Sequence, residues 1–169
     1  MTSSKIVYIH SFSSDLGRIH TAYTDAGVAI ITLPSDSAGA FEDRLEKYFG
    51  EYEIIQGGKL NQEVEKQLRL YFNGKLKKFN LRLDIKASPF QTKVLRTVAK
   101  VPYGKTESYG QIAARVGSPL ASRAVGTANA CNNLPIVIPC HRVVASNGLG
   151  GYGGGIEMKK TLLRLEGAL

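Results

Sequence analysis

Three side chains that could do chemistry together are adjacent at residues 140–142, where Cys140, His141 and Arg142 follow Pro139. The thiolate is the reactive form of cysteine, and positive neighbours lower the pKa of a thiol. Adjacent residues on a strand point to opposite faces, so His141 can assist Cys140 only if the chain turns here. We therefore expect a turn that carries a cysteine nucleophile. The alternative is a cysteine that only fills the core.

A metal site is not predicted. The other cysteine, Cys131, does not combine with Cys140 and His141 in the paired spacing of zinc ligands, and His10 and His20 are distant in the sequence. Two cysteines cannot form a disulfide framework, which favours a reducing, intracellular setting. We expect no cofactor.

A glycine cluster occupies residues 148–155. Gly148, Gly150 and Gly153 match the G-x-G-x-x-G pattern, but a dinucleotide site needs an early βαβ unit and an acid about 20 residues further on. We therefore reject that interpretation. Glycines also let a backbone pass close to a ligand and direct N–H groups at it. The alternative is a flexible surface loop.

Arg123 is a long cation among small residues, including Ala124 and Gly126. Small residues allow a helix to approach another surface closely, and a single projecting arginine suits contact with DNA. A solvated helix arginine is the alternative. The charge distribution supports contact with DNA. Residues 1–86 hold 12 Lys+Arg and 11 Asp+Glu, whereas residues 87–169 hold 10 Lys+Arg and 3 Asp+Glu. Such asymmetry predicts a polyanionic partner for the second half, with solubility as the alternative.

The sequence pattern of the helices and strands that must position these residues predicts an α+β protein with two domains, residues 1–86 and 87–169. The first half predicts a small α/β domain with a short antiparallel-type sheet. Its predicted strands are 5–12, two strands around Asp25–Gly27, and 79–85, and its helices are 41–50 and 61–74.

The second half is predicted to be mostly helical. Ser88 and Pro89 are typical of a helix start, and Gly117 of a helix end. Helices over 108–117 and 120–132 with a tight turn between them suggest a helix-turn-helix, against the alternative of an ordinary helical hairpin. Residues 136–140 are predicted as a short buried strand or extended run, and 155–167 as a terminal helix.

The chain has 169 residues and is 43% hydrophobic, which allows a substantial core. No apolar run approaches the roughly 20 residues of a membrane span, and residues 1–12 do not look like a signal peptide. We expect a cytoplasmic protein without membrane contact.

Together, these stretches resemble the O6-alkylguanine-DNA alkyltransferases, also called methylated-DNA–protein-cysteine methyltransferases. The similarity covers nearly all of residues 88–168, and "PCHR" is its centre. The matching segments are "PYGK…SYGQIA" (102–113), "RAVGTANACN" (123–132), "IPCHRV" (138–143), "GYGGG" (151–155) and "LLRLEG" (162–167). Residues 1–86 resemble the family's variable N-terminal domain only in size and element order.

The resemblance implies direct-reversal DNA repair. An alkyl group would move from O6 of guanine, with O4-alkylthymine as a second candidate substrate, to Cys140 in a single irreversible turnover after base flipping. His141 would activate Cys140 through a water, Glu166 would orient His141, and Asn132 would hold the active-site turn. Tyr109 would contact the flipped base and help to neutralise the leaving guanine.

The resemblance also implies contacts to DNA and to the substrate. Arg123 would fill the gap left in the duplex, and the helix-turn-helix would enter the minor groove. The partner would be double-stranded DNA that carries O6-alkylguanine, bound by a monomer that is nucleoid-associated if the source is prokaryotic. The DNA-binding residues would be Ser122, Arg123, Ala124, Gly126 and Tyr109, and the substrate-binding residues Tyr109, Val143, Tyr152 and Gly153.

Two departures and two rival functions accompany this hypothesis. Some family members have serine where this chain has Gly153, and some bind zinc through N-terminal cysteines that are absent here.

A DNA-binding module without catalysis would not gain a methyl group on Cys140. A cysteine hydrolase using Cys140 and His141 would turn over many times without DNA.

Overall fold

The computed structural model describes residues 5–169. The chain divides into two compact units, Met1–Lys86 and Ala87–Leu169. Each unit is described by itself.

The first unit is built on a four-stranded sheet in the order β3-β2-β1-β4. Strand β1 pairs antiparallel with β2, and β2 with β3, whereas β4 runs parallel to β1. The predicted antiparallel-type sheet is thus confirmed, with one additional parallel strand. The strands are β1 (Lys5–Ser14), β2 (Gly17–Thr24), β3 (Gly27–Ile31) and β4 (Tyr52–Gln56).

Helices α1 (Ala40–Phe49) and α2 (Lys59–Phe72) cover opposite faces of this sheet. Ala22 belongs to the apolar cluster that includes Phe41 of α1. The preceding residue, Thr21, donates a hydrogen bond of 2.8 Å from its hydroxyl to Asn61 Oδ1 of α2. Because successive strand residues point to opposite faces, the two helices lie on different sides.

The predicted strand over residues 79–85 is wrong. Only Leu83 forms an isolated bridge, to Val28, and two backbone hydrogen bonds of 2.9 and 2.8 Å join Val28 to Arg82 and Asp84. Alternating residues favour an extended backbone, but a strand also needs a partner that runs beside it. Here the chain meets β3 at a single point.

The second unit consists of four helices, a two-stranded parallel pair and a 3₁₀ turn. The helices are α3 (Pro89–Val98), α4 (Tyr109–Arg115), α5 (Ser122–Ala130) and α6 (Ile156–Leu165). Strand β5 (Glu107–Ser108) pairs with β6 (Val143–Val144), directly after the turn formed by Cys140–Arg142. The predicted helical C-terminal part is confirmed.

Capping side chains define where two of these helices begin. Ser88 caps α3 with Pro89 in the first turn, as the sequence predicts, and Gln91 completes a capping box. Ser108 and Gln111 form the same arrangement at α4. The second box fixes the start of α4 at the residue that follows β5, so Tyr109 is held close to the strand pair.

Helices α4 and α5 pack against each other and form the predicted helix-turn-helix. Gly117 adopts the left-handed conformation, with φ of 80°. The N–H groups of Gly117 and Ser118 close the end of α4 on the carbonyls of Ala114 and Ala113, at 3.0 and 2.9 Å. Among residues 5–169, no helix is long and apolar enough to cross a bilayer.

Residues 136–140 form neither the predicted strand nor the predicted extended run, and of that prediction only the burial of most of the segment holds. Ile136 has a positive φ of 72°, and Ile138 N–H returns to the carbonyl of Leu134 at 2.8 Å. Pro135 and Pro139 lack the N–H donors that a central strand needs. The segment is instead a buried, tightly bent connection that leads into the 3₁₀ turn.

Candidate active site

The reactive segment is a turn, as the chemistry of adjacent cysteine and histidine requires. Cys140 N–H donates to the carbonyl of Ile138 at 2.8 Å, and Arg142 N–H to that of Pro139 at 2.9 Å. Cys140, His141 and Arg142 are all buried. The turn therefore directs three consecutive functional side chains into the second unit.

The pKa of the Cys140 thiol is raised, which corrects the expectation of a lowered value. Burial is the largest cause, because it disfavours the charged thiolate. Hydrogen bonds from Asn132 and Tyr152 and the positive charge of Lys159 act in the opposite direction without overcoming it. The thiol is therefore protonated at neutral pH and needs a proton acceptor before it can react.

Asn132 holds the turn from the end of α5. Its Nδ2 donates to the carbonyl of Ile138 at 2.9 Å and contacts Cys140 Sγ at 3.2 Å. Its Oδ1 accepts the N–H of Leu134 at 2.9 Å. One amide thus links both sides of the bend and orients the sulfur.

His141 is buried and faces Glu166. Its Nε2 lies 2.8 Å from Glu166 Oε1, whereas its Nδ1 is buried and has no hydrogen-bond partner among residues 5–169. Burial is the main reason why the pKa of His141 is lowered, so the ring is neutral at pH 7. A neutral ring that donates from Nε2 to the carboxylate has its lone pair on Nδ1, which can accept a proton.

Arg142 was expected only as a positive neighbour of the thiol, whereas the structure binds it to Glu166. Its Nε and one terminal nitrogen each contact the Glu166 carboxylate at 2.9 Å, and the other terminal nitrogen donates to the carbonyl of Val101 at 2.6 Å. Glu166 therefore joins His141 to Arg142. The sequence offered only a weak signal for this pair, namely that the second half has three acids, Glu107, Glu157 and Glu166, for its ten Lys and Arg.

Lys159 is a residue that the sequence analysis missed. It is fully buried, and its Nζ donates to the carbonyls of Val143 at 2.6 Å and Gly151 at 3.0 Å. Burial lowers the pKa of Lys159 to about 8. The sequence did contain a signal for this burial. Lys159 lies three and four residues before Leu162 and Leu163, which puts all three on the inner face of α6.

A cavity of about 270 Å³ reaches the thiol. Tyr109, Tyr152 and Gly153, three of the predicted substrate-binding residues, line it, but Val143 does not. Instead, the Val143 carbonyl accepts the hydrogen bond from Lys159. The cavity is lined by Tyr109, Gly126, Asn129, Ala130, Cys140, Gly151, Tyr152 and Gly153.

Gly151 and Gly153 form one wall of this cavity, and the neighbouring Gly150 lies so close to Tyr109 that a side chain would not fit there. A Cβ on Gly150 would lie 2.9 Å from the Tyr109 ring, and Gly150 has a φ of 71°. The Tyr109 hydroxyl donates to the carbonyl of Gly151 at 3.4 Å. Burial is the main reason why the pKa of Tyr109 is raised, so its hydroxyl keeps its proton at neutral pH.

One face of α5 presents mainly small side chains. Arg123, Ala124 and Thr127 are exposed, and Ser122 and Gly126 are half-buried. Arg123 is the long side chain of this set. The predicted DNA-contacting residues of α5 therefore share an accessible surface, and Gly126 also belongs to the cavity wall.

In residues 5–169, no group of three or more His, Cys, Asp or Glu side chains is placed to hold a metal ion.

The sequence matches two family descriptions in tandem. Residues 7–85 match "6-O-methylguanine DNA methyltransferase, ribonuclease-like domain", and residues 89–168 match "6-O-methylguanine DNA methyltransferase, DNA binding domain". A curated methylated-DNA–protein-cysteine methyltransferase from Mycolicibacterium paratuberculosis is 52% identical over 101 residues, 59% of this chain and 61% of that protein. The matched part thus spans less than two thirds of that relative. One from Methanosarcina acetivorans is 44% identical over 68% of this chain and 74% of its own length.

Solved structures extend the similarity over both units. The crystal structure of Mycobacterium tuberculosis OGT in complex with DNA has a TM-score of 0.81 at 33% identity, covering 95% of this chain and 93% of that one. The O6-methylguanine-DNA methyltransferase from Pyrococcus kodakaraensis has a TM-score of 0.69 at 27% identity, covering 95% and 99%. With the "PCHR" turn, its Asn132 support and the His141–Glu166 pair in place, the chain belongs to the O6-methylguanine-DNA methyltransferase family.

Proposed function

We propose that this protein repairs alkylated DNA by direct reversal. It takes an alkyl group from O6 of guanine onto Cys140 and is a methylated-DNA–protein-cysteine methyltransferase that acts once. The single observation that carries the proposal is a buried thiol that opens into a base-sized cavity beside a neutral histidine with an unpaired Nδ1. O4-alkylthymine is a second candidate substrate.

In the proposed reaction, His141 takes up the thiol proton through a bridging water while Cys140 attacks the alkyl carbon. A sulfur–carbon bond forms and the carbon–O6 bond breaks, so the electron pair of the broken bond moves to the guanine. Glu166, at 2.8 Å from Nε2, stabilises the histidinium that forms. Because the thiol pKa is raised, this proton transfer is the step that makes the nucleophile.

The leaving guanine needs stabilisation of the charge on its oxygen and ring. Tyr109 lines the cavity and keeps its hydroxyl proton at neutral pH, so it can donate a hydrogen bond to the departing base. Backbone N–H groups of the glycine wall, at Gly153 above all, would act in the same way, since Gly151 and Gly153 line the cavity. The proton lost by the thiol finally returns to the guanine.

A thioether is chemically stable, and the site offers no group that would remove the alkyl chain from sulfur. One molecule of protein therefore repairs one lesion. This distinguishes the proposal from a cysteine hydrolase, which would regenerate its thiol. A lesion-binding protein without catalysis is disfavoured because the thiol, its proton acceptor and the cavity occur together.

The proposed partner is double-stranded DNA that carries the lesion, approached through the minor groove by α4 and α5. The excess of positive charge in residues 87–169 supports contact with phosphates, and the small side chains of α5 support a close approach. Arg123 would occupy the space that the flipped nucleotide leaves. We propose that the protein works as a monomer in the cytoplasm, since one chain supplies every residue of the site.

The two cysteines provide a matched test. The protein, Cys140→Ser and Cys131→Ser are each incubated with DNA that carries O6-[³H-methyl]guanine, and label on the protein is counted. Cys131 is exposed and lies outside the cavity lining, so Cys131→Ser should accept label like the unaltered protein. Cys140→Ser should accept none while still binding DNA. Label on Cys140→Ser would refute the assignment.

A further inference from the structure

Asn129 has an amide in the cavity wall that nothing in the described chain uses. It lies in the last turn of α5 and lines the cavity together with Cys140 and Tyr109. Its Nδ2 and Oδ1 are both buried, and neither has a hydrogen-bond partner among residues 5–169. Leaving buried polar groups unpaired costs free energy, so such a group in a native structure needs an explanation.

The neighbouring amide, that of Asn132, differs from the Asn129 amide because it is fully hydrogen-bonded. Asn132, three residues further on, uses both ends of its amide to hold the turn and the thiol. The backbone N–H of Asn132 donates to the carbonyl of Asn129 at 3.1 Å, so the two residues are one turn apart at the thiol side of the cavity. Asn129 thus brings a donor and an acceptor side by side to the wall of the cavity that reaches the thiol.

The alkylated base offers the matching pair of groups. Alkylation at O6 removes the proton from N1, so N1 becomes an acceptor beside the 2-amino donor. An amide can donate from Nδ2 to N1 and accept at Oδ1 from the 2-amino group. Intact guanine has donors at both positions, so either orientation of the amide would leave one donor facing another.

We propose that Asn129 is a specificity-determining residue that pairs with N1 and the 2-amino group of O6-alkylguanine and rejects intact guanine. This inference rests on the proposed function. The polar atoms of the amide are closed off from water, so pairing with the base requires rotation of the Asn129 side-chain bonds. After transfer, the guanine regains a proton at N1, the pairing is lost, and the repaired base leaves.

The test compares two substrates that differ only in the 2-amino group, O6-methylguanine and O6-methylhypoxanthine in the same oligonucleotide. The ratio of their single-turnover transfer rates is measured for the unaltered protein, for Asn129→Leu and for the smaller Asn129→Ala. The unaltered protein should prefer O6-methylguanine by about 10-fold, as expected for a paired base edge. Both variants should react more slowly with O6-methylguanine and show a ratio near 1.

Asn133→Leu is the matched control, because Asn133 is a half-buried amide outside the cavity lining and should keep the ratio of the unaltered protein. A 10-fold ratio retained in both Asn129 variants overturns the assignment, and so does a ratio near 1 in the unaltered protein. If the unaltered protein accepts no methyl group from O6-methylguanine, the proposed function itself fails. That outcome is distinct from a failure of the Asn129 assignment.

Discussion

At the scale of single residues, the buried carboxylate of Glu166 has both a proposed catalytic role and a structural one. It accepts from His141 and from two nitrogens of Arg142, so it both orients the proton acceptor and neutralises a buried cation. Removing one partner of a buried pair leaves the other charge uncompensated, which costs about 3–5 kcal/mol of stability. Catalysis and stability therefore share this residue.

Glu166→Gln should slow methyl transfer by at least about 10-fold, within the range of general acid–base effects. Without the carboxylate, the histidinium is less stable, so the apparent pKa of Cys140 rises and the rate increases only at higher pH. The measurement is the pH–rate profile at a temperature where circular dichroism shows the variant to be folded. Glu107→Gln, which removes a more exposed partner of Arg115, is the control. A profile that matches the unaltered protein would count against this role.

Lys159 leads to a prediction about stability and pH. Its pKa is about 8 in the folded protein, against 10.5 for an ordinary lysine. Between these values the unfolded chain holds a proton that the folded chain has lost. The free energy of unfolding therefore gains a contribution that rises with pH, by up to about 1.4 kcal/mol per pH unit.

Urea denaturation between pH 7.5 and 10.5 checks this contribution in Lys159→Met. The variant should lack the rise, whereas Lys160→Met should retain it, because Lys160 forms an exposed pair with Glu157. Comparing variants cancels the opposite trend from tyrosine and cysteine side chains. Equal slopes in the two variants would show that Lys159 is not the group responsible.

The sequence identified the proposed nucleophile, Cys140, but not all of the residues that surround it. Cys140, His141 and Asn132 belong to a recognisable motif whose chemistry depends on residue type. Arg142 and Lys159 have roles that depend on burial and on carbonyl partners far along the chain. Those partners are set by packing, which a local pattern does not contain. The raised pKa of Cys140 was missed for the same reason.

At the scale of elements, α5 contributes to both sides of the proposed function. Its exposed face carries Arg123 and small side chains, and its last turn contributes Asn129 to the cavity. The start of α3 was predicted from Ser88 and Pro89 because that signal lies in adjacent residues, whereas the capping boxes at α3 and α4 were found only in the structure. Strand β4 was not predicted, because most of its residues are exposed and do not alternate between buried and exposed. The β5–β6 pair was not predicted because each strand is only two residues long.

Arg123→Ala should impair repair in duplex DNA by about 10-fold or more and leave reaction with free O6-alkylguanine almost unchanged. In the duplex, the flipped nucleotide must be held against restacking, at a cost of a few kcal/mol, and alanine cannot reach into the vacated space. Single-turnover rates on both substrates are compared with those of Arg96→Ala, an exposed arginine on α3. Equal losses on duplex and free base would place the effect in the fold or the cavity.

At the scale of the whole molecule, net charge predicts how the protein finds its lesion. Binding that rests on phosphates should weaken as salt rises, with the logarithm of the affinity falling by about 0.9 per phosphate contact for each unit of log salt. Affinity for undamaged duplexes of different sequence should differ little. Fluorescence anisotropy titrations over a range of salt concentrations measure both. An affinity that ignores salt would contradict the charge argument.

In the proposed reaction, Cys140 itself becomes the alkylated product, once per molecule. The most direct measurement is mass spectrometry of the protein and of its peptides after reaction with increasing amounts of DNA containing O6-methylguanine. We predict one added methyl group per protein, located on the peptide with Cys140, and no further repair once every molecule is modified. Repeated turnover with an unmodified Cys140, or a methyl group on Cys131 instead, would contradict the account.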